Sequence, residues 1–165
     1  EFSVVLTAPS KTFNLAGLQT SNIIIANEKL RKVYQETMNR YGVNEPNFLG
    51  IIACMTAYNE CELWVDEMLE YVYDNFTYFD EFLKENLPHI HLVKPEGLYL
   101  GWVDFRECGL NKDELEKTML EKAGLWLDEG YIFGTGGEGF ERFNLAIPRS
   151  VLEDACQRLL KAFGK

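Results

Sequence analysis

The sequence has few of the residues from which metal centres and disulfide frameworks are built. It contains two histidines and four cysteines in 165 residues, and no two cysteines form a Cys-x-x-Cys pair. His89 and His91 would share one face of a strand, but no third ligand accompanies them, so we expect no metal. Cys54 and Cys156 lie in apolar helical stretches and are expected in the core, and the cysteine pattern predicts a reduced, cytoplasmic protein.

Long hydrophobic runs and an excess of positive charge are also missing. No apolar run approaches the length that spans a bilayer, and no signal-peptide pattern opens the sequence. The 16 lysines and arginines against 26 aspartates and glutamates give a net charge of −10, which repels phosphate backbones. We therefore expect neither a membrane nor a nucleic acid as a partner. The 47% of hydrophobic residues can form one sizeable core, or one domain and a share of another.

The most informative stretch that is present, residues 7–18, holds a single lysine, Lys11, directly after the apolar run 2–6. That run predicts a buried strand, which Pro9 and Ser10 end with a turn. Lys11 would then lie at the carboxyl end of a strand, where open α/β sheets bind ligands, and its amine could reach a phosphate or a carbonyl. The alternative is a lysine in a solvated loop, which the spacing alone favours because the segment is not a phosphate loop.

A second informative stretch lies far downstream. Phe133-Gly134 and the glycines Gly136, Gly137 and Gly139 precede the run Phe140-Glu141-Arg142-Phe143-Asn144-Leu145-Ala146. A guanidinium binds a carboxylate through two parallel hydrogen bonds and stays charged, so Arg142 suits a fixed carboxylate anchor. A surface arginine at a strand edge is the alternative. The glycines are expected to form a flexible segment that permits close backbone approach, and Arg149 is interpreted as structural.

The two stretches together resemble one enzyme family. Ser10-Lys11-Thr12-Phe13-Asn14-Leu15-Ala16-Gly17-Leu18 is similar to the cofactor-lysine segment of class I/II aminotransferase-like enzymes that use pyridoxal phosphate (PLP), in the MalY/PatB branch of cysteine-sulfur β-lyases. The downstream stretch resembles the C-terminal signature of that family. The resemblance covers essentially the whole chain but only the C-terminal part of the family. Since ten residues precede Lys11 and the chain begins at Glu1 without a methionine, we expect a fragment of an enzyme.

The resemblance implies roles for particular residues. Lys11 would hold PLP and carry protons at the α-carbon of the substrate, and Arg142 would bind the carboxylate of the substrate. Thr7 and Ser10 carry hydroxyls that could reach the cofactor phosphate. Many aminotransferases have a phosphate-binding arginine eight residues after the lysine, where this chain has Gln19. The charge that neutralises the phosphate must then come from elsewhere, and the departure favours the lyase branch.

The resemblance also implies the fold and the reaction. The expected fold class is α/β, the C-terminal part of a fold-type I PLP-dependent transferase: the end of the large domain (1–60), an interdomain connecting helix (61–88) and an α+β small domain (89–165). The expected reaction is β-elimination of cystathionine or cysteine S-conjugates to thiol, pyruvate and ammonia. The alternatives are a PLP-dependent aminotransferase, which would share every residue visible here, and a non-catalytic small-domain module.

The same resemblance gives the expected partners. These are an amino-acid substrate, the missing N-terminal half of the enzyme and, in the parent enzyme, a second copy in a homodimer. The isolated chain is expected to be inactive.

Hydrophobic periodicity predicts the secondary structure. The expected elements are a strand at 22–26, helices at 30–41 and 48–58, a long helix ending at 86–88, strands at 90–93 and 97–105, a helix from the Asn111 capping box to Gly124, a strand at 143–147 and a last helix from a capping box at 150–153. In the long helix, a stripe from Val65 to Leu83 is expected to face the core. A second stripe of Trp64, Tyr71 and Tyr78 would broaden that face or pack against a neighbouring domain. The glycosylation triplet that begins at Asn75 is interpreted as chance.

Overall fold

The computed structural model describes residues 2–43 and 45–164. It divides into two compact units, one up to Glu67 and the other from Met68, and the division falls inside a single long helix. The domain boundaries expected from the resemblance stay a prediction. Within the described ranges, none of the helices combines the length and the hydropathy that a bilayer span requires.

The first unit consists of a pair of short strands followed by helices. The elements are β1 (Val5–Thr7), β2 (Asn22–Ile24), α1 (Glu28–Tyr41), α2 (Phe48–Glu60) and the first residues of α3 (Glu62–Asn86). β1 and β2 pair antiparallel. Asn27 begins α1 by accepting a hydrogen bond from the Leu30 amide, and Gly42 ends the helix with a φ of 64°. The periodicity therefore placed α1 and its end correctly.

The first unit has a small core. Among its described residues the buried apolar side chains are Pro9, Ile25, Cys54 and Ala57. The expectation of a buried first strand is wrong, because Leu6 is 68% exposed and nothing in this unit covers the outer face of β1. Many large apolar side chains of the unit are likewise exposed, and they include Phe2, Val33, Tyr41, Phe48, Leu49, Met55 and Leu63. Such an apolar surface is typical of a face that contacts further protein.

The second unit is built on a four-stranded antiparallel sheet in the order β3-β4-β6-β5. Its elements are the remainder of α3, β3 (His91–Val93), β4 (Leu100–Asp104), α4 (Lys112–Lys117), β5 (Asp128–Glu129), β6 (Phe140–Asn144) and α5 (Arg149–Phe163). The capping box of Asn111 and Glu114 at the start of α4 is confirmed. The capping box expected at Ser150 is wrong, because α5 begins one residue earlier, after Pro148, without a side-chain cap.

A contiguous apolar core fills the second unit. It joins one face of the sheet to α3, α4 and α5 through Val72, Phe76, Phe79, Leu83, Val103, Phe105, Leu115, Phe143, Leu152, Cys156 and Leu159, all of them buried. The Phe79 and Phe143 rings lie 5.2 Å apart. The expected α3 stripe is thus confirmed from Val72 to Leu83 but not at Leu69, which is exposed. Of the second stripe, Tyr78 packs against this core, whereas Trp64 and Tyr71 are each 47% exposed.

A buried polar cluster joins α3 to the start of α5. Asn75 is fully buried, and its side-chain amide donates hydrogen bonds to the carbonyls of Leu145 and Ile147, each 2.9 Å long. Its Oδ1 accepts a hydrogen bond of 2.9 Å from Arg149 Nε. The Asn75 side chain therefore has a structural role, and its burial is incompatible with glycosylation in the folded chain.

We expect the Asn75→Leu substitution to destabilise the protein by roughly 3 kcal/mol, because it leaves two carbonyls and a guanidinium without their buried partner. Chemical denaturation followed by circular dichroism measures this change. The matched control is Thr77→Ala, which alters an exposed side chain that bonds only within α3 and should cost less than about 0.5 kcal/mol. Equal losses for the two variants would contradict the importance of the cluster.

Candidate cofactor lysine and carboxylate-binding arginine

Lys11 lies in a hydrogen-bonded turn that follows β1. The Phe13 amide donates to the Pro9 carbonyl over 2.9 Å, and the Leu15 amide donates to the Ser10 carbonyl over 3.0 Å. Pro9 is buried, whereas Lys11 is exposed. Within the ranges that the structure covers, no carboxylate pairs with the Lys11 amine. The turn fixes the backbone and leaves the amine accessible, which a covalent cofactor attachment requires.

An aromatic contact fixes the far side of this turn. The Phe13 ring meets the Tyr58 ring edge-on, with centroids 5.6 Å apart, and stacks on Trp64 at 6.2 Å. Tyr58 lies in α2 and Trp64 in the first turns of α3. α2 also approaches the chain after the turn so closely that a side chain at Gly50 would overlap the Thr20 hydroxyl. The position of Lys11 is therefore set by the packing of the residues that follow it against α2 and α3.

The other proposed cofactor contacts lie close to Lys11 in sequence. Thr7 ends β1, opposite Asn22, and Ser10 is half-buried in the turn itself. Gln19 follows a short helical turn with a left-handed φ of 50°. These residues offer one amine, two hydroxyls and an amide to a ligand, but no cation for its phosphate. The amine of Lys11 suits the carbonyl end of PLP. The hydroxyls and the amide can donate hydrogen bonds to its phosphate but cannot neutralise the charge of the phosphate.

Arg142 lies in β6, opposite Trp102 of β4 and Asp128 of β5. Its Nε and Nη2 both donate to Asp128 Oδ2, over 3.1 and 2.5 Å. Its guanidinium carbon lies 4.6 Å from the centroid of the Phe133 ring. The Arg142 side chain is 31% exposed. The guanidinium is thus held along one edge and over one face while part of it stays accessible, as an anchor for an anionic ligand must.

Aromatic rings surround this arginine on the same face of the sheet. Trp102 stacks on Phe140, with centroids 5.3 Å apart, and meets Phe133 edge-on at 5.6 Å. The sequence analysis gave no role to Trp102 or Asp128. Neither belongs to a motif, and only the register of β4 and β5 against β6 places them beside Arg142.

The glycine-rich segment before β6 is closely packed. A side chain at Gly130 would overlap the carbonyl of Gly137, and one at Gly137 would overlap the carbonyl of Gly130. Gly134 has a φ of 122°, which other residues rarely adopt. The expected close backbone approach is confirmed, and it occurs within the segment itself. These contacts set the path of the chain that carries Phe133 to the face of Arg142.

Arg149 and the histidines lie in structural settings. The Arg149 amide donates to the Tyr71 hydroxyl over 2.8 Å, and its guanidinium lies 4.6 Å from the Tyr78 centroid. With its bond to Asn75, these contacts tie α5 to α3, as the structural interpretation predicted. His91 pairs with Glu107 at 3.3 Å. His89 lies in the turn before β3, so the expectation of a shared strand face is wrong.

The described part of the chain has no group of three metal-ligating side chains.

Glu141, the residue before Arg142 in β6, is a buried acid that the sequence patterns did not indicate. Glu141 is 2% exposed and points to the opposite face of β6 from Arg142. Burial, and then the negative charges of Glu129, Glu116 and Asp128, raise the pKa of Glu141 from its ordinary 4.5 to about 7. The protonated form is therefore favoured in the folded state.

We expect this carboxyl to make the stability of the protein fall as the pH rises. Its favourable contribution is complete below about pH 4.5, where Glu141 is protonated in both states, and is lost as the pH rises to about 7. The loss amounts to about 3 kcal/mol, or less if the site relaxes. Urea denaturation of Glu141→Gln at pH 5 and pH 8 should show that the variant gains stability relative to the parent at the higher pH. The exposed control Glu138→Gln should show no such gain, and parallel behaviour of the two variants would contradict the assignment.

The chain is similar to known PLP-dependent enzymes over nearly all of its length. No protein-family model matches the chain. The cystathionine β-lyase PatB of Bacillus subtilis is 38% identical over 99% of this chain and 42% of its own length. The protein MalY of Escherichia coli is 32% identical over 96% of the chain and 41% of its own length. The crystal structure of cystalysin from Treponema denticola, which contains PLP, superposes with a TM-score of 0.93 and 42% identity over 96% of the chain and 40% of that protein.

Over nearly all of its length the chain is thus similar to cystathionine β-lyases of the MalY/PatB branch and to PLP-dependent enzymes of the fold-type I architecture. An aspartate aminotransferase is more distant, at 24% identity. The chain spans about two fifths of the length of PatB and MalY, 42% and 41%. It corresponds to the C-terminal part of their fold. Lys11 belongs to the first unit of this part and Arg142 to the second.

Proposed function

We propose that this chain supplies the cofactor-holding lysine and the substrate-binding arginine of a PLP-dependent carbon–sulfur β-lyase. The observation that carries the proposal is Lys11, an exposed amine in a turn that is fixed by hydrogen bonds and by the packing of Phe13, in a chain that is 38% identical to a cystathionine β-lyase over nearly all its length. The reaction would convert cystathionine or another cysteine S-conjugate to a thiol, pyruvate and ammonia. The carbon–sulfur bond breaks and the sulfur leaves with a proton as the thiol. One water molecule then supplies the keto oxygen of pyruvate and displaces the amino group as ammonia.

Bound PLP would supply the electron sink for bond breaking at the α-carbon of the substrate. The Nζ of Lys11 would hold the carbonyl end of the cofactor and, once displaced by the substrate amine, remove the proton from the α-carbon. Thr7 and Ser10 would donate hydrogen bonds to the phosphate. Gln19 can donate a hydrogen bond but no charge, so the compensating cation is expected from the rest of the enzyme.

Arg142 would fix the substrate through its carboxylate. Because Asp128 and Phe133 already hold the guanidinium, Arg142 can bind a carboxylate without a further loss of side-chain freedom. Carboxylate binding at this point would fix the position of the head group of the substrate. A carboxylate anchor fits an amino-acid substrate, and the similarity to the cystathionine β-lyase PatB favours one with a sulfur leaving group at its β-carbon.

The exposed apolar surface of the first unit supports further protein contacts. Leu6, Phe48 and Leu63 are each at least 68% exposed. PatB and MalY, the relatives of this chain, are more than twice as long as the chain. An apolar hollow of about 530 Å³, lined in part by Phe13, Leu18, Ile52 and Trp64, lies beside the lysine turn. We propose that the N-terminal half of the enzyme and a second subunit of a homodimer cover this surface, in the cytoplasm. On its own the chain should be inactive.

Transamination by the same residues is the second candidate, supported by the more distant aminotransferase relative. The full-length protein loaded with PLP is the material that separates the two. Incubation with L-cystathionine without an added keto acid should release pyruvate and a free thiol at a steady rate. Pyruvate-free samples that form a new amino acid only after a keto acid is added would overturn the lyase assignment in favour of an aminotransferase.

A further inference from the structure

Asp128 is the one side chain to which the structure ties the guanidinium of Arg142 by hydrogen bonds, within the parts of the chain that it describes. The two residues lie opposite each other in the pairing of β5 with β6, so their side chains leave the sheet on the same face. Asp128 Oδ2 accepts from both Nε and Nη2. A guanidinium has five N–H groups, and this contact uses two along one edge. The remaining N–H groups, on Nη1 and the outer side of Nη2, stay available to a ligand.

Phe133 holds one face of the Arg142 guanidinium. Its ring lies against one face of the group at 4.6 Å, and Trp102 meets that ring edge-on. With one edge and one face occupied, the side chain of Arg142 loses most of its rotational freedom before any ligand arrives. A long side chain that is ordered in advance binds its ligand at a smaller entropic cost.

The Asp128 pair is poorly suited to a role in stability. The side chains of Asp128 and Arg142 are 51% and 31% exposed, and exposed ion pairs contribute little to folding. The second unit also contains an exposed ion pair within α5. Arg158 Nε donates to Asp154 Oδ2 over 2.7 Å, and the two side chains are 49% and 60% exposed. That pair provides an internal comparison outside the proposed site.

We propose that Asp128 is a positioning residue for substrate recognition: it holds Arg142 by one edge so that the free end of the guanidinium faces the carboxylate of the amino-acid substrate. The proposal rests on the proposed function, since it takes Arg142 as the carboxylate anchor. Asp128 touches neither substrate nor cofactor and acts through Arg142 alone.

The test uses the full-length enzyme loaded with PLP, with L-cystathionine as the probe. Asp128→Ala should raise KM on the order of tenfold, as expected for the loss of a charge-assisted contact that orders the anchor, and change kcat less than about twofold. The absorbance of bound cofactor should not change. Asp128→Glu should recover part of the lost affinity, because the carboxylate can still reach the guanidinium. Asp154→Ala, which removes the exposed pair of α5, is the matched control and should leave KM as in the parent.

A double-mutant cycle tests the positioning role of Asp128 separately from the role of Arg142 as the carboxylate anchor. If Asp128 acts through Arg142, adding Asp128→Ala to Arg142→Lys should raise KM by less than about twofold. An unchanged KM for Asp128→Ala, or a fully additive effect in the double variant, would overturn the positioning role while Arg142→Lys alone still impairs binding. An Arg142→Lys variant with the KM of the parent would overturn the anchor itself and the proposed function of this arginine.

Discussion

Replacement of Lys11 by alanine in the full-length enzyme is expected to remove the visible absorbance of bound cofactor and to reduce turnover by about a thousandfold or more. The reason is chemical. The Nζ of Lys11 is both the point of attachment and the proposed base at the α-carbon, and an alanine provides neither. The other lysines of the first unit, Lys29 and Lys32, lie on the exposed surface of α1 and not in the turn. They cannot take over the role.

Two further variants make this result specific. Lys11→Arg should fail to restore the absorbance or the activity, because a guanidinium keeps its proton and does not react with a carbonyl. Lys29→Ala is the matched control and should resemble the parent in both measurements. Since Lys11 is exposed, its replacement should leave the circular dichroism spectrum unchanged. A folded Lys11→Ala variant that keeps the absorbance and the parental rate would show that another residue holds the cofactor.

The sequence predicted the elements whose signals are local. Proline and serine mark the turn of Lys11, Asn111 and Glu114 mark the start of α4, and each structure depends on residues within a few positions of one another. The α3 stripe from Val72 to Leu83 is also readable, because its apolar spacing repeats over three turns. In these cases the residues that determine the structure are neighbours in the sequence.

The sequence could not predict features that depend on pairing across strands. Asp128 contacts Arg142 only because the register of β5 against β6 places the two residues opposite each other. β5 has two residues, and no local sequence pattern predicts so short a strand. Glu141 illustrates the same limit, since alternation along β6 indicates that it faces away from Arg142 but not that other elements bury that face. The buried amide of Asn75 bonds to carbonyls about 70 residues away in the sequence.

Burial in the first unit was mispredicted for a related reason. Periodicity identifies which side of a strand or helix is apolar, but it does not tell whether another layer covers that side. Leu6 and Val33 lie on apolar faces and are nonetheless exposed, at 68% and 60%. The chain spans about two fifths of the length of PatB and MalY, and periodicity within it carries no information about a layer contributed by other protein.

Arg142→Lys in the full-length enzyme should leave the absorbance of bound cofactor almost unchanged and lower kcat/KM for L-cystathionine about ten- to a hundredfold. Lysine keeps the positive charge, but it lacks the planar fork that binds a carboxylate through two parallel hydrogen bonds. It would also lose one of the two contacts with Asp128 and the flat packing on Phe133. The effect should therefore appear in substrate binding.

Arg149→Lys gives the opposite pattern and serves as the paired test. Arg149 contacts Asn75 and Tyr78 inside the second unit, so its replacement should lower the stability of the protein and have little effect on kcat/KM. Steady-state kinetics and chemical denaturation of both variants distinguish the two roles, because each variant should change one measurement and spare the other. If Arg149→Lys lowers kcat/KM and Arg142→Lys does not, the carboxylate anchor has been assigned to the wrong arginine.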